Sequence, residues 1–541
     1  MLGEGVPRSG GGEGRRCWQP VAGSWQPEEG PGRGISRREF LGAVAAGLAA
    51  PALVGCAPKT ERPLAGGFVD DGGARGHRLR DGVRFPAPRR RERVPVVVVG
   101  GGIAGLSAGW QLRRRGFGDF VLLELEAQAG GNARWGENEV SAYPWAAHYV
   151  PLPGRESTLV RELFEELGVY AGGAWPEEML VYEPQERLYR WGRWHEGLEE
   201  ALAETAAERA EFRRFHERMR DLRATGEFTL PLALGARPSP LDSLSMAAWL
   251  DAEGFRTPAL RWYVDYACRD DYGALARETS AWAGIHYFAA RPPEHEARGP
   301  LAWPEGNGWV VRRLLARLGE RVRTGSMVHR VERRGRGARV LAGETEYLCD
   351  AVVFAAPGFL ASRLVEDAPA VDFVYSPWFT ANLTLERWPA EHGFPPAWDN
   401  VLHDSPGLGY VVATHQTPRT HTERSVWTYY AALAHQPPLQ ARAALLSATW
   451  RGLADVVLAD LERAHPDLRR CVTRLDVQRL GHAMVRPTPG FLASPARRAL
   501  VESGGPVFYA HSDLSGLSLF EEAQYRGVTA AERALAWLAG G

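Results

Sequence analysis

Val96-Val97-Val98-Val99-Gly100-Gly101-Gly102-Ile103-Ala104-Gly105 is an apolar run ending in a glycine turn, and an amphipathic helix follows through Leu106, Trp110 and Leu112. A second apolar strand, Phe120 to Leu125, carries Glu124, which lies 19 positions after Gly105. Strand, glycine turn, helix, strand and acid, in that order, are what a dinucleotide-binding unit requires. Gly100 permits the tight turn, Gly102 lets the backbone approach a pyrophosphate, and Gly105 allows close packing of helix on strand. Ile103 and Ala104 open the helix, whose first N–H groups lack intrahelical partners and suit phosphate oxygens. A carboxylate at Glu124 is placed to accept from ribose hydroxyls.

Beyond Glu124 the chain continues through Ala127 to Gly130-Gly131-Asn132-Ala133-Arg134. VVVVGGGIAGLSAGWQL followed by VLLELEAQAGGNAR resembles the flavin amine oxidase superfamily, which includes monoamine and polyamine oxidases, protoporphyrinogen oxidase and the phytoene desaturases. The resemblance implies an α/β fold, a Rossmann-like FAD/NAD(P)-binding domain with an inserted α+β substrate domain, and FAD as cofactor. It makes Gly130 and Gly131 a second pyrophosphate contact. Asn132 stands where the family usually has Arg, so Arg134 becomes the candidate for that positive charge. No second GxGxxG follows, as a reductase with its own NADPH domain would show.

The resemblance extends to the far end of the chain. Trp303-Pro304-Glu305-Gly306-Asn307-Gly308 precedes a helix, a strand follows around Val328, and Asp350 to Phe354 closes on Ala355-Ala356-Pro357. In the family this is a return to the FAD domain, with Val328 meeting the adenine side through its backbone and Ala356 a further candidate to bind the cofactor. Val507 to Asp513 reads as a strand delivering an acid, Asp513, to the cofactor. Ser518 and Glu521 have capping-box spacing, so the last helix is expected to start at Ser518. In the family that helix points its N-terminus at the flavin, where it favours negative charge by roughly 0.3–1 kcal/mol.

Ser36-Arg37-Arg38-Glu39-Phe40-Leu41 matches the twin-arginine export motif, and a short apolar stretch leads to Leu53-Val54-Gly55-Cys56, which resembles a lipobox. That stretch is shorter than the roughly 20 apolar residues of a membrane span. The expectation is a lipoprotein exported folded, with its flavin in place, to the periplasm or another extracytoplasmic site and anchored to the membrane by lipid on Cys56. Residues 1–55 are assigned to the leader and 56–93 to a flexible tether rich in Pro, Gly and Arg. Residues 94–150, 300–357 and 481–541 are assigned to the FAD domain, and 151–299 and 358–480 to the substrate domain.

With the leader removed, 486 of the 541 residues remain, enough for two domains. A net charge of −1 argues against a nucleic-acid partner, and Cys268, Cys349 and Cys471 show no metal-ligand or disulfide spacing. The first insertion is expected to hold helices at Ser157–Leu167, Leu198–Arg223 and Ser245–Glu253. The second is expected to hold strands at Phe379–Leu385, Gly409–Thr414 and Ser425–Ala431 and a helix at Ala441–Arg463.

On the substrate side, His148, in Trp145-Ala146-Ala147-His148-Tyr149, is a candidate to take a proton, against the alternative of a packed, hydrogen-bonded imidazole. Arg486, or His482 in the same segment, is the other candidate to face the pocket, while Trp378, Trp398, Trp427 and Tyr429 divide between core and cavity. The only lysine is Lys59, whereas monoamine and polyamine oxidases generally hold a water against flavin N5 with a lysine. These features point to an FAD oxidoreductase taking hydride from a C–N or C–C bond of a small molecule and passing electrons to O2 or a membrane quinone. The alternatives are a desaturase-like or protoporphyrinogen-oxidase-like dehydrogenase on an apolar substrate, and a flavin-binding lipoprotein without turnover.

Overall fold

The computed structural model describes residues 63–69, 73–236, 239–291, 299–417 and 422–540. The twin-arginine motif and the lipobox lie outside them. A five-stranded parallel sheet, in the order Val322–Arg323, Phe120–Leu123, Val96–Val99, Ala351–Phe354, Val507–Tyr509, forms the centre of the dinucleotide half. Its three inner strands are apolar at every position and buried at every position, as expected of parallel strands covered on both faces. Alternation divides them between two layers. Val96 and Val98 pack with Leu106, Trp110, Leu314 and Val528 of three helices, Ile103–Arg114, Gly308–Leu318 and Phe520–Ala539. Val97 and Val99 pack with Val331, Val340 and Tyr347 of a four-stranded sheet on the other side. Each fully buried valine contributes about 1.5–3 kcal/mol.

The other half is an eight-stranded mixed sheet flanked by helices. Its order is Ala65–Phe68, Val472–Arg486, Val374–Leu385, Ser425–Ala432, Gly409–Val412, Asp399–Leu402, Glu186–Arg190, Arg193–Glu196. The fold is α/β, a Rossmann-like dinucleotide-binding region with a separate helical and sheet domain.

Helices occupy Thr158–Glu166 and Met246–Ala252 within the expected stretches. The helix expected from Leu198 to Arg223 is two, Glu199–Leu202 and Ala206–Ala224, because the chain turns extended at Thr205, which starts the second with a capping box to Glu208. Three further expectations are corrected. The helix expected from Ala441 to Arg463 is two helices, Pro438–Ser447 and Trp450–Leu461, because Ala448 and Thr449 turn extended and the Thr449 hydroxyl caps the second by accepting from the Gly452 N–H. The described part of the tether is not a loose linker. It forms a strand, Ala65–Phe68, parallel to Arg474–Val477, then a helix, Gly73–Arg80, then a strand, Arg90–Arg93, beside Thr345–Leu348. Finally, Val472–Arg486 is one strand running through the boundary drawn between 480 and 481. No helix among the described residues is long and apolar enough to cross a membrane.

Candidate dinucleotide cavity and the adjoining acid cluster

The C-terminal ends of the parallel strands open on a cavity of about 650 Å³, where open α/β sheets place their ligands. Gly105 is required by packing, since a Cβ there would lie 1.9 Å from the Gly100 carbonyl oxygen. Gly102 differs, because its Cβ would meet no protein atom within 4 Å and would enter the cavity alone. The second glycine pair sits against the first, with the Gly130 N–H donating 2.8 Å to the Gly101 carbonyl.

Glu124 lines this cavity, and its carboxylate accepts from the N–H of Gly101 at 2.6 Å and of Glu126 at 2.7 Å. Burial raises its pKa, and these two N–H groups oppose the rise. At the other wall Asp513 accepts from the Gly358 N–H at 2.8 Å and from the Tyr375 hydroxyl at 2.6 Å. Burial pushes its carboxyl up, but His511, Tyr375 and Gly358 together hold it below the usual range.

A cluster of aromatic rings and acids lies across the segment Ala146–Tyr149 from this cavity. Ala147 lines the cavity, while the His148 ring lies 5.4 Å from Trp398 and 4.7 Å from Tyr430 on the other side. Asn307 fixes this segment, its backbone N–H bound to the Ala147 carbonyl and its side-chain amide donating 3.0 Å to the Tyr149 carbonyl. Beyond Trp398 comes Asp399, paired in register with Glu186 on the neighbouring parallel strand. Asp270 and Tyr266, one turn apart on Pro258–Tyr272, join them. Asp270, Asp399, Glu186, Tyr149 and Tyr287 are all half-buried.

Burial, reinforced by mutual repulsion, raises Glu186 and Asp270 each to about 7, and Asp399 well above the carboxylate range. Arg291 lies 3.6 Å from Asp271 at the edge of this cluster. Glu521 is there too: it is 1% exposed, neither carboxyl oxygen has a hydrogen-bond partner from another residue among those described, and burial raises its pKa to about 7.

Gly100, Gly102, Ile103, Ala104, Glu124, Gly130, Gly131, Asn132, Val328, Ala356, Asp513 and Ser518 all line the cavity, and Gly105 packs directly beneath it. Other expected roles change. Arg134 does not line it; its guanidinium lies 3.9 Å from Glu126. Ser518 does not cap the last helix, which begins at Phe520 after Leu519 with no side-chain cap, so Glu521 is turned inward instead of back onto the N-terminus. Arg486 is 2% exposed and ion-paired to Glu278 at 3.1 Å, away from the cavity wall. Burial pushes His148 down to about 4, so it is neutral at physiological pH, with Nδ1–H donating to the Ala146 carbonyl at 3.2 Å. Of the aromatics, Trp427 and Tyr429 are core, Trp378 sits against Gly273, and Trp398 faces His148. Glu186, Asp270 and Asp399 carry no local signal, since isolated acids in a mixed pattern read as surface, while Asn307 and Glu521 stand in stretches whose spacing pointed to other roles.

A profile of NAD(P)-binding Rossmann-like domains matches residues 98–167. A Baeyer-Villiger monooxygenase from Penicillium patulum is 38% identical over 84 residues, 15% of this chain, which thereby spans only 12% of that protein. Putrescine oxidase bound to putrescine has the same fold with a TM-score of 0.61 at 16% identity, covering 82% of this chain and 100% of that one. Cyclohexylamine oxidase from Brevibacterium oxydans gives 0.63 at 16% identity over 82% and 99%. A fatty acid isomerase from P. acnes gives 0.61 at 14% over 81% and 98%. The fold is amine-oxidase-like.

Proposed function

We propose that the chain is an FAD-dependent oxidoreductase that takes hydride from the carbon of a C–N bond in a cationic amine. The observation that carries this reading is the adjacency of a cavity lined by glycine backbone, Glu124 and Asp513 and a cluster of aromatic rings and raised carboxyls across Ala146–Tyr149. The free space above Gly102 fits a pyrophosphate, and Glu124 and Asp513 fit hydroxyls of ribose and ribitol. FAD bound there would accept the hydride and pass two electrons to a quinone or O2.

The chain's own residues do the rest. Carboxyls raised toward neutrality suit an ammonium, because a cation stabilises their ionised form and the rings of Tyr149, Tyr266 and Trp398 attract its charge. Asp270, at about 7, is matched to take the proton that the ammonium must lose before hydride leaves. His148, at about 4, is too weak a base for that and serves instead to shape the wall. Anaerobic titration tests the reading: bleaching of the flavin by amines supports it. Bleaching by a polyene, or by neither class, points to the desaturase-like dehydrogenase or the non-catalytic flavoprotein.

We also infer export by the twin-arginine route and lipid anchoring, on the motifs at Ser36–Leu41 and Leu53–Cys56. A folded flavoprotein needs such a route, and an anchor would bring the enzyme to membrane quinones. Replacing Arg37 and Arg38 by lysine is expected to hold the protein inside the cell, and Cys56→Ala to release it from the membrane fraction.

A further inference from the structure

Asn132 leaves the second glycine pair without the cation expected after it, and its side-chain amide is committed to the Ala483 carbonyl at 2.8 Å. Arg134 is drawn toward Glu126. A diphosphate brings two negative charges beside Glu124, and a helix N-terminus offers only about half a unit of opposite charge. Arg363, on Ala361–Leu364, and Arg442, on Pro438–Ser447, line the same cavity as the glycine loops, and so do His77 and Arg80 from the helix Gly73–Arg80.

Arg442 is anchored through Nε to the Gly481 carbonyl at 2.7 Å, and its terminal nitrogens make no protein hydrogen bond among the described residues. Arg363 is exposed and forms no ion pair there. The groups converge on His482, which burial and then the charges of Arg442, His77 and Arg363 hold down to about 4. The helix that brings His77 is stitched down on both sides, by the strand Ala65–Phe68 on one sheet and Arg90–Arg93 on another.

The geometry points to a cationic clasp: Arg363 and Arg442 bind the diphosphate of the dinucleotide from the side opposite the glycine loops, and the helix Gly73–Arg80 closes over it. This rests on the FAD reading above and goes beyond it by naming the residues that hold the cofactor in. It gives the segment before the first Rossmann strand a binding role.

The test follows release of FAD from the purified holoenzyme by the rise in flavin fluorescence. Arg363→Gln and Arg442→Gln are each expected to release FAD about tenfold faster, the scale of one charge-assisted hydrogen bond to phosphate. Added salt should accelerate release from the wild type more than from the double variant. Arg363→Lys and Arg442→Lys keep the charge and should recover most of the retention, which a loss of folding would not allow. If the wild type holds FAD and the Gln variants release it at the wild-type rate, the clasp is wrong and the FAD reading stands. If the wild type neither contains nor takes up FAD, both fall.

Discussion

Between residues 100 and 131 the dinucleotide cavity is made largely of backbone: a glycine triplet, a glycine pair, a helix N-terminus and one acid bound to two N–H groups. The cluster beside it is made of side chains, and its acids Glu186, Asp270 and Asp399 come from a strand, a helix and another strand far apart in the chain. Backbone recognition demands glycine at fixed spacing, so it leaves a pattern. Side-chain recognition assembled by tertiary packing demands only that the right residue arrive from anywhere. The two regions therefore differ in how they fail: the first by intrusion of atoms, the second by removal of charge.

Gly102→Val gives the largest expected effect. The new side chain meets no protein, so the fold should melt within a few degrees of the wild type, while flavin measured by absorbance in the purified protein falls nearly to zero. Retention of full flavin in a folded variant would remove the glycine loop from the phosphate site.

In the acid cluster, Asp399→Asn should leave flavin content untouched and raise the KM of a cationic amine about tenfold to a hundredfold, with a neutral substrate much less affected. Equal losses for charged and neutral substrates would show that Asp399 supports the wall and does not read charge.

The cofactor's exit chemistry offers a smaller contrast. His148 is neutral and Arg486 is paired with Glu278, so neither of the two expected cations is free to stabilise developing superoxide. Stopped-flow oxidation of the reduced enzyme should then run several-fold faster with a quinone analogue than with O2, and an equal or faster reaction with O2 would refute this.

The smallest effect is one of pH. Glu521 titrates near 7 in the folded chain and near 4.5 unfolded, so the stability tied to its neutral form is complete below pH 4.5 and is lost as pH rises to 7. His148 runs the other way, complete above 6.5 and lost as pH falls to 4. Glu521→Gln should therefore gain stability over the wild type between pH 4.5 and 7, by about 1–3 kcal/mol, and then level off. Chemical denaturation across that range measures it, and a pH-independent difference would count against the burial of a titrating carboxyl.

Val96 to Gly105 identified the Rossmann core because its four valines, alternately facing helices and sheet, and its glycines act locally. Glu124, Gly130 and Gly131 were legible for the same reason. Ser518 and Glu521 misled because capping-box spacing is shared by any Ser with Glu three residues on; here the chain enters the helix at Leu519 and packing turns Glu521 inward. Arg486 misled because a lone arginine near a cavity strand says nothing about the Glu278 that neutralises it. The segment 63–93 has the composition of a linker, yet it forms backbone hydrogen bonds with two sheets. Such pairing needs no particular side chain.

The strand Val472–Arg486 is paired with Ala65–Phe68 near its start and with Val374–Leu385 along most of its length, and it carries His482 and Ala483 onto the cavity wall. At about 3.3 Å per residue it is a beam roughly 50 Å long. Where the chain passes from one half to the other, residues 481–483 drop out of the ladder, between the pairs Trp378 with Leu480 and Ser376 with Met484. Such a bulge re-aims the side chains it carries. It sets His482 and Ala483 on the cavity wall, and straightening it would withdraw them.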